Sequence, residues 1–444
     1  MPRKEALTSS LTRNTVLNFV GQAVPLIVGI MTMPFIIRGL GKEAFGILSL
    51  AWAIIGYFSL FDFGLARATT KYVAEYLGKE NESQLPSLFW TSFGLHLFFG
   101  LCGGILLAII TPLLVQKFLN IPAALLSDSN RIFYLLALAI PLVVITGVMR
   151  GTLEGAQRFD LVNAVKIPSG ALNFLIPAAV LPLGFNLPKI IVLLILARLA
   201  TAGAYFILCL RVFPGIRIRV DFQRKLVRPL LTYGGWVTIS NVIGPILVYS
   251  DRFILGSLLT MSAVAYYTAP YEIVTRLWIL PLSLATTIFP AFSSLGKNHS
   301  KKDLENIYAR SVKALLLILG PAVVMILFFA KDIVLIWLGR DFARESTMVL
   351  QILALGVLIN SLAYIPFALM QGFNRPDIPA KFHLLELPVY IGLLWLLVRE
   401  IGIAGAALAW TLRVTLDTAL LFGAAWKSFD FSFRIFLKVR KPTT

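Results

Sequence analysis

Ser87-Leu-Phe-Trp-Thr-Ser-Phe-Gly-Leu-His96-Leu-Phe-Phe-Gly-Leu-Cys102-Gly-Gly-Ile-Leu-Leu-Ala-Ile-Ile-Thr-Pro112-Leu-Leu114 runs for 28 residues without an Asp, Glu, Lys or Arg. As an α-helix rising about 1.5 Å per residue it is long enough to cross the ~30 Å hydrocarbon core of a bilayer. It lacks the polar stripe that a surface helix of a soluble protein needs. Comparable runs fall at 15–37, 44–66, 132–153, 161–183, 188–210, 232–257, 262–292, 312–336, 347–370, 382–398 and 402–426, which makes twelve with 87–114. Of the 444 residues 58% are hydrophobic and 14% charged, against roughly 45–50% and about 25% in soluble domains. The runs are continuously apolar and do not alternate with period two, which makes helices the default over a barrel. The expected fold is therefore all-α and polytopic, with about twelve transmembrane helices.

The net charge of +18 is distributed in a way that argues against nucleic acid as a partner, because the 40 Lys and Arg sit between apolar runs and form no continuous basic domain. With the N-terminus placed in the cytoplasm, loops on that side hold 27 of them and the opposite loops 9, leaving Arg198, Arg252, Arg276 and Arg413 within helices. An imbalance of this size over short loops puts both termini inside. Val16 to Ile37 is longer than a signal-peptide core and has no small-residue cleavage site, so it reads as a retained first helix. Cys102 and Cys209 are isolated, and His96, His299 and His383 form no ligand spacing. Neither a disulfide framework nor a metal site is expected.

The two halves resemble each other at an offset near 220. Leu77-Gly-Lys79 recurs as Leu295-Gly-Lys297, Leu136-Ala-Leu138 as Leu353-Ala-Leu355, and Gly155-Ala-Gln-Arg158-Phe-Asp160 as Gly372-Phe-Asn-Arg375-Pro-Asp377. An offset of six spans gives parallel repeats about an axis along the membrane normal. The expected organisation is a lobe over 1–212, a basic cytoplasmic linker over 213–230, a second lobe over 231–426 and a basic tail over 427–444. A duplicated single chain favours an alternating-access transporter over a channel.

Asn18-Phe19 with Pro25 and Pro34, then Arg38-Gly-Leu-Gly41-Lys-Glu-Ala-Phe-Gly46-Ile47 and Asp62-Phe-Gly-Leu65, resemble the start of polysaccharide-transport proteins. These are the O-antigen-type flippases of the multidrug/oligosaccharidyl-lipid/polysaccharide exporter superfamily. Asp251-Arg252-Phe-Ile-Leu-Gly256 with Ala265-Tyr-Tyr267, Pro281, Phe289-Pro290 and Gly372-Phe-Asn-Arg-Pro376 are similar to that family too. The resemblance implies two lobes around a central cavity in the cytoplasmic membrane and a polyprenyl-diphosphate-linked glycan as substrate. It also implies H⁺ or Na⁺ as a coupling ion, no cofactor, and other membrane proteins of polysaccharide assembly as partners.

A charge at the centre of a membrane helix costs about 2.5–3.5 kcal/mol, so the few that occur there face a cavity or a partner. They are Asp62, Arg198, Asp251, Arg252, Glu272, Arg276, Glu386, Arg413 and Asp417. Glu272 with Arg276, and Arg413 with Asp417, are i,i+4 pairs that can neutralise one another on one helix face. In the functional reading Arg198, Arg276 and Arg413, with Arg252, line a basic cavity for a diphosphate, since a guanidinium fork suits phosphate oxygens. Asp62, Glu272, Asp417 and Asp251 then serve coupling or gating. Arg252 falls near the outer interface, where it either snorkels to the headgroups or closes a gate. Gly100-x-x-x-Gly104 and Gly402 to Ala406 have the small-residue spacing of helix packing. Two other functions remain open: a drug or small-molecule antiporter of the same fold, which favours acidic cavity residues, and a membrane-embedded glycosyltransferase or ligase, which needs a long extramembrane loop.

Overall fold

The computed structural model describes residues 24–58, 64–78, 81–218, 220–285, 288, 292, 301–373, 375 and 377–429, with the side chains of 57–58, 232–242 and 301–303 outside that description. Asn18, Gln22, Asp62 and the side chain of Asn241 lie outside the described residues. In chain order the helices are α1 (Val24–Leu40), α2 (Lys42–Phe58), α3 (Leu65–Gly78), α4 (Leu85–Leu113), α5 (Ala123–Gly155), α6 (Phe159–Val180), α7 (Leu187–Val212), α8 (Gly215–Ile218), α9 (Arg224–Leu258), α10 (Met261–Val274), α11 (Lys301–Leu338), α12 (Arg340–Gly372) and α13 (Asp377–Phe429). Among the described residues seven helices are long and apolar enough to cross a membrane. The chain is a multi-pass α-helical membrane protein. Its outward faces carry large apolar side chains such as Ile109, Leu317, Phe328 and Ile336, each at least 70% exposed. Water would penalise such faces and lipid does not.

Packing contacts divide the chain into two compact units that meet in sequence between Ala265 and Tyr266. In the first, α4 lies along α5, and α5 also packs on α3 and α7. The expected Gly100/Gly104 packing is present: a Cβ at Gly104 would stand 2.6 Å from the Ala137 carbonyl oxygen, and one at Gly100 would stand 2.8 Å from Pro141 Cα. A core of Phe89, Val148, Met149, Leu153, Val162, Tyr205 and Cys209 joins α4 to α5, α6 and α7. The basic linker is tied to α4 by polar bonds. Ser87 Oγ donates to Asp221 at 2.6 Å, the Gln223 backbone amide donates to Thr91 Oγ1 at 2.9 Å, and Trp90 Nε1 donates to the Ile216 carbonyl at 2.9 Å.

In the second unit α12 packs between α11 and α13, around Tyr308, Val312, Leu315, Leu319, Ile365 and Leu369. α13 is two helices joined by a break at Ile401 and Gly402, the latter at φ +61°. That corrects the reading of Gly402. It makes the turn between the runs 382–398 and 402–426, a backbone conformation that glycine adopts without Cβ strain, and the close approach belongs to Gly405, which sits against the Leu397 carbonyl. The run 44–66 also differs from the single span expected. α2 ends at Phe58, and α3 starts after Gly64, which lies at φ +69°.

The strongest stretch of the internal repeat folds the same way twice. Ala156 N donates to Thr152 O and Phe373 N to Leu369 O, both at 3.1 Å; Arg158 N donates to Leu153 O and Arg375 N to Met370 O, both at 2.9 Å. Each arginine then bonds through Nε to the aspartate two residues on, Arg158 to Asp160 at 3.0 Å and Arg375 to Asp377 at 3.2 Å. The aspartates sit in the first turns of α6 and α13, where a negative charge complements the helix dipole.

Candidate functional site

α6 and α7, which follow the first of these turns, build with α3 and α5 a cavity of about 570 Å³ within the first unit. α6 contributes Lys166, Ser169 and Asn173, spaced i, i+3 and i+7 and therefore on one face. α7 contributes Arg198 and Thr201, α5 contributes Arg150 and α3 contributes Arg67. Four cations thus meet, and no Asp or Glu is among the lining residues. Arg198 is half-buried and donates from Nη2 to Asn173 Oδ1 at 3.4 Å. Its buried Nε has no hydrogen-bond partner, and Arg198 makes no ion pair among the described residues. Thr201 Oγ1 donates to Ser169 Oγ at 3.1 Å. Arg150 is held by Glu154 at 3.4 Å. Such a surface takes an anion with several oxygens, because guanidinium and ammonium groups keep their charge when partly dehydrated and donate to more than one oxygen.

Arg198 was anticipated from its place in mid-span, but Arg67, Arg150 and Lys166 were read as loop charges. Arg150 and Lys166 lie inside the runs 132–153 and 161–183, so their depth was the available signal. Lys166 also shows that cations within the helices are not all arginine.

The second unit repeats the placement with different side chains. Moving 217 residues from Lys166, Ser169 and Asn173 gives His383, Glu386 and Tyr390 on α13, and Arg198 corresponds at 215 residues to Arg413. Arg198 bonds to Asn173, and Arg413 likewise covers the ring of Tyr390, 5.7 Å from its centroid. Arg413 Nη1 stands 3.8 Å from Glu386 Oε2, and His383 Nε2 stands 3.7 Å from Asp417 Oδ1. This corrects the expected Arg413–Asp417 pairing: the antiparallel helix before Gly402 presents Glu386 to the arginine, and Asp417 turns to His383. His383, which has no metal-ligand spacing in the sequence, belongs to the cluster through its contact with Asp417.

A further expected pair is formed. Glu272 and Arg276 are bridged at 2.8 Å, with Arg276 Nε also donating to the Glu272 carbonyl at 3.1 Å. Asp251 and Arg252 lie 3.6 Å apart and are both buried. The Arg252 guanidinium donates to the Val248 carbonyl at 3.3 Å and stands over Tyr249. Arg252 therefore does not snorkel, because neighbours on its own helix satisfy its charge. Asp62 falls outside the described residues.

These helices and this basic cavity define a polytopic membrane protein with the fold of multidrug-type transporters. It is similar to an inward-facing multidrug resistance MATE family transporter of the MOP superfamily, with a TM-score of 0.81 and 15% identity over 93% of this chain and 98% of the other. The chain belongs to the polysaccharide biosynthesis protein family, whose pattern matches residues 11–296. It is 33% identical over 93% of its length to the putative O-antigen transporter of Shigella flexneri, covering 97% of that protein. It is also 21% identical to the probable flippase AglR of Haloferax volcanii over 95% of this chain and 84% of that protein.

Proposed function

We propose that this chain is a flippase that carries a polyprenyl-diphosphate-linked oligosaccharide across the cytoplasmic membrane for surface glycan assembly. The observation that carries the reading is the first-unit cavity, in which Arg67, Arg150, Lys166 and Arg198 converge without a lining carboxylate. A diphosphate needs cationic donors, and an organic cation would be repelled by them. Near full-length similarity to an O-antigen transporter supports the same substrate class. Translocation without bond chemistry needs no catalytic group, so the chain acts as a carrier and not as a glycosyltransferase or ligase. Two six-helix lobes, both termini in the cytoplasm and alternating access driven by an ion complete the proposal. Other membrane proteins of polysaccharide assembly are its proposed partners.

The test is equilibrium binding of a fluorescent polyprenyl diphosphate to the full chain in lipid nanodiscs. Binding that weakens steeply with salt and is at least about tenfold weaker in R198A supports the reading. Binding of tetraphenylphosphonium in preference to the diphosphate overturns it in favour of the drug antiporter.

A further inference from the structure

The second unit's counterpart of the basic cavity has an unbalanced charge set. Glu386 and Asp417 are buried, at 2% and 5% exposure, and are faced by Arg413 and His383. The guanidinium offsets one carboxylate. His383 Nε2 stands 3.7 Å from Asp417 Oδ1, beyond hydrogen-bond range, and its buried Nδ1 has no hydrogen-bond partner among the described residues, so a proton on both ring nitrogens would leave a buried N–H unpaired. Neither oxygen of Glu386 has a hydrogen-bond partner there, and neither does Asp417 Oδ1. Glu386 and Asp417 are within side-chain reach of each other.

Two buried carboxylates with one guanidinium leave an uncompensated charge, which a low-dielectric interior disfavours strongly. α12, packed along α13, cannot supply the missing cation. From Ser346 to Gly372 it contains no Asp, Glu, Lys, Arg or His, and Tyr364 is its titratable group there. Tyr390 is the other titratable group at the cluster, under Arg413. A metal ion fits poorly, because a guanidinium occupies the position between the carboxylates' helices and no His, Cys, Asp and Glu group among the described residues is placed to hold one. A protonated carboxyl is both neutral and a donor, so a proton between two facing carboxyl groups corrects the charge and supplies the absent hydrogen bond.

We infer that Glu386 and Asp417, framed by Arg413 and His383, form a single-proton binding site in the second unit, placed by the internal repeat where the first unit has its anion cavity. On the carrier reading this makes the proton the coupling ion. Loss of the proton leaves a net charge between the two halves of α13, and that charge favours a rearrangement that admits water or a cation.

The site can be tested without any glycan. Infrared difference spectra of the full chain in nanodiscs, taken between about pH 5 and about pH 9, should contain a protonated-carboxyl C=O band that is lost in E386Q or D417N. For the case where a variant fails to fold, wild-type protein treated with a lipid-soluble carbodiimide, which adds across the O–H of a protonated carboxyl, should be modified at Glu386 or Asp417, with a rate that falls as pH rises. A band unchanged in both folded variants, or a carbodiimide rate at these residues independent of pH, overturns the proposal. Either result leaves the flippase reading standing, since no substrate takes part.

Discussion

At the scale of single residues, Arg198 separates a binding role from a structural one, because it faces the cavity with Asn173 and without a carboxylate. A hydrogen bond to a charged group contributes about 1.5–3 kcal/mol. R198A should therefore weaken diphosphate binding by about tenfold to a hundredfold, and R198K should keep part of it, as measured by titration in nanodiscs. Equal weakening in N173A would indicate that Asn173 orients the guanidinium. The exposed clamps behave differently. D160N removes one ion pair at the surface and D377N removes two, to Arg375 and Lys381; D160N should cost less than about 1 kcal/mol in thermal unfolding in detergent, and D377N should shift the unfolding temperature little. Arg150 and Lys166 mark the limit of reading charges by position in sequence. Both lie near the ends of apolar runs, where lipid headgroups, a loop and a cavity mouth look alike until neighbouring helices are placed.

At the scale of elements, the helices were legible because continuous apolar runs leave little choice in lipid, where each backbone group must be bonded within its own segment. The breaks within the runs were less legible. Gly64 and Gly402 have the composition of packing residues, and only the φ values identify them as turn formers. Gly104, in contrast, packs as its spacing implies. G104L would force α4 away from the Ala137 carbonyl and should cost about 1–3 kcal/mol, read as a lower unfolding temperature, whereas a leucine at Gly320, which has open space around it, should cost little. The partner of Arg413 was also hidden. An i,i+4 spacing nominates Asp417, but the hairpin at Gly402 brings Glu386 to the guanidinium instead. Contacts across a turn of this kind carry no sequence period.

At the scale of the whole molecule, the duplication is visible in the repeated Gly155–Asp160 and Gly372–Asp377 turns, where two backbone bonds coincide in pattern and length. From them the same positions on successive helices become a basic cavity in one unit and a carboxylate cluster in the other. The orientation inferred from the excess of Lys and Arg predicts that single cysteines placed at Arg217 and Arg375, in a chain without Cys102 and Cys209, react with a membrane-impermeant maleimide only from the cytoplasmic side. A cysteine at Glu345 should react only from the outside.

The chain is expected to carry a lipid diphosphate through its cationic cavity. The most direct measurement reconstitutes the chain in liposomes with a fluorescent polyprenyl-diphosphate oligosaccharide and follows its appearance in the opposite leaflet by quenching with a membrane-impermeant reductant. Protein-dependent translocation that is abolished in R198A and unaffected by excess tetraphenylphosphonium is the predicted result. No translocation above protein-free liposomes, from a chain shown to be folded and correctly oriented, under either direction of a pH gradient or a Na⁺ gradient, would contradict it.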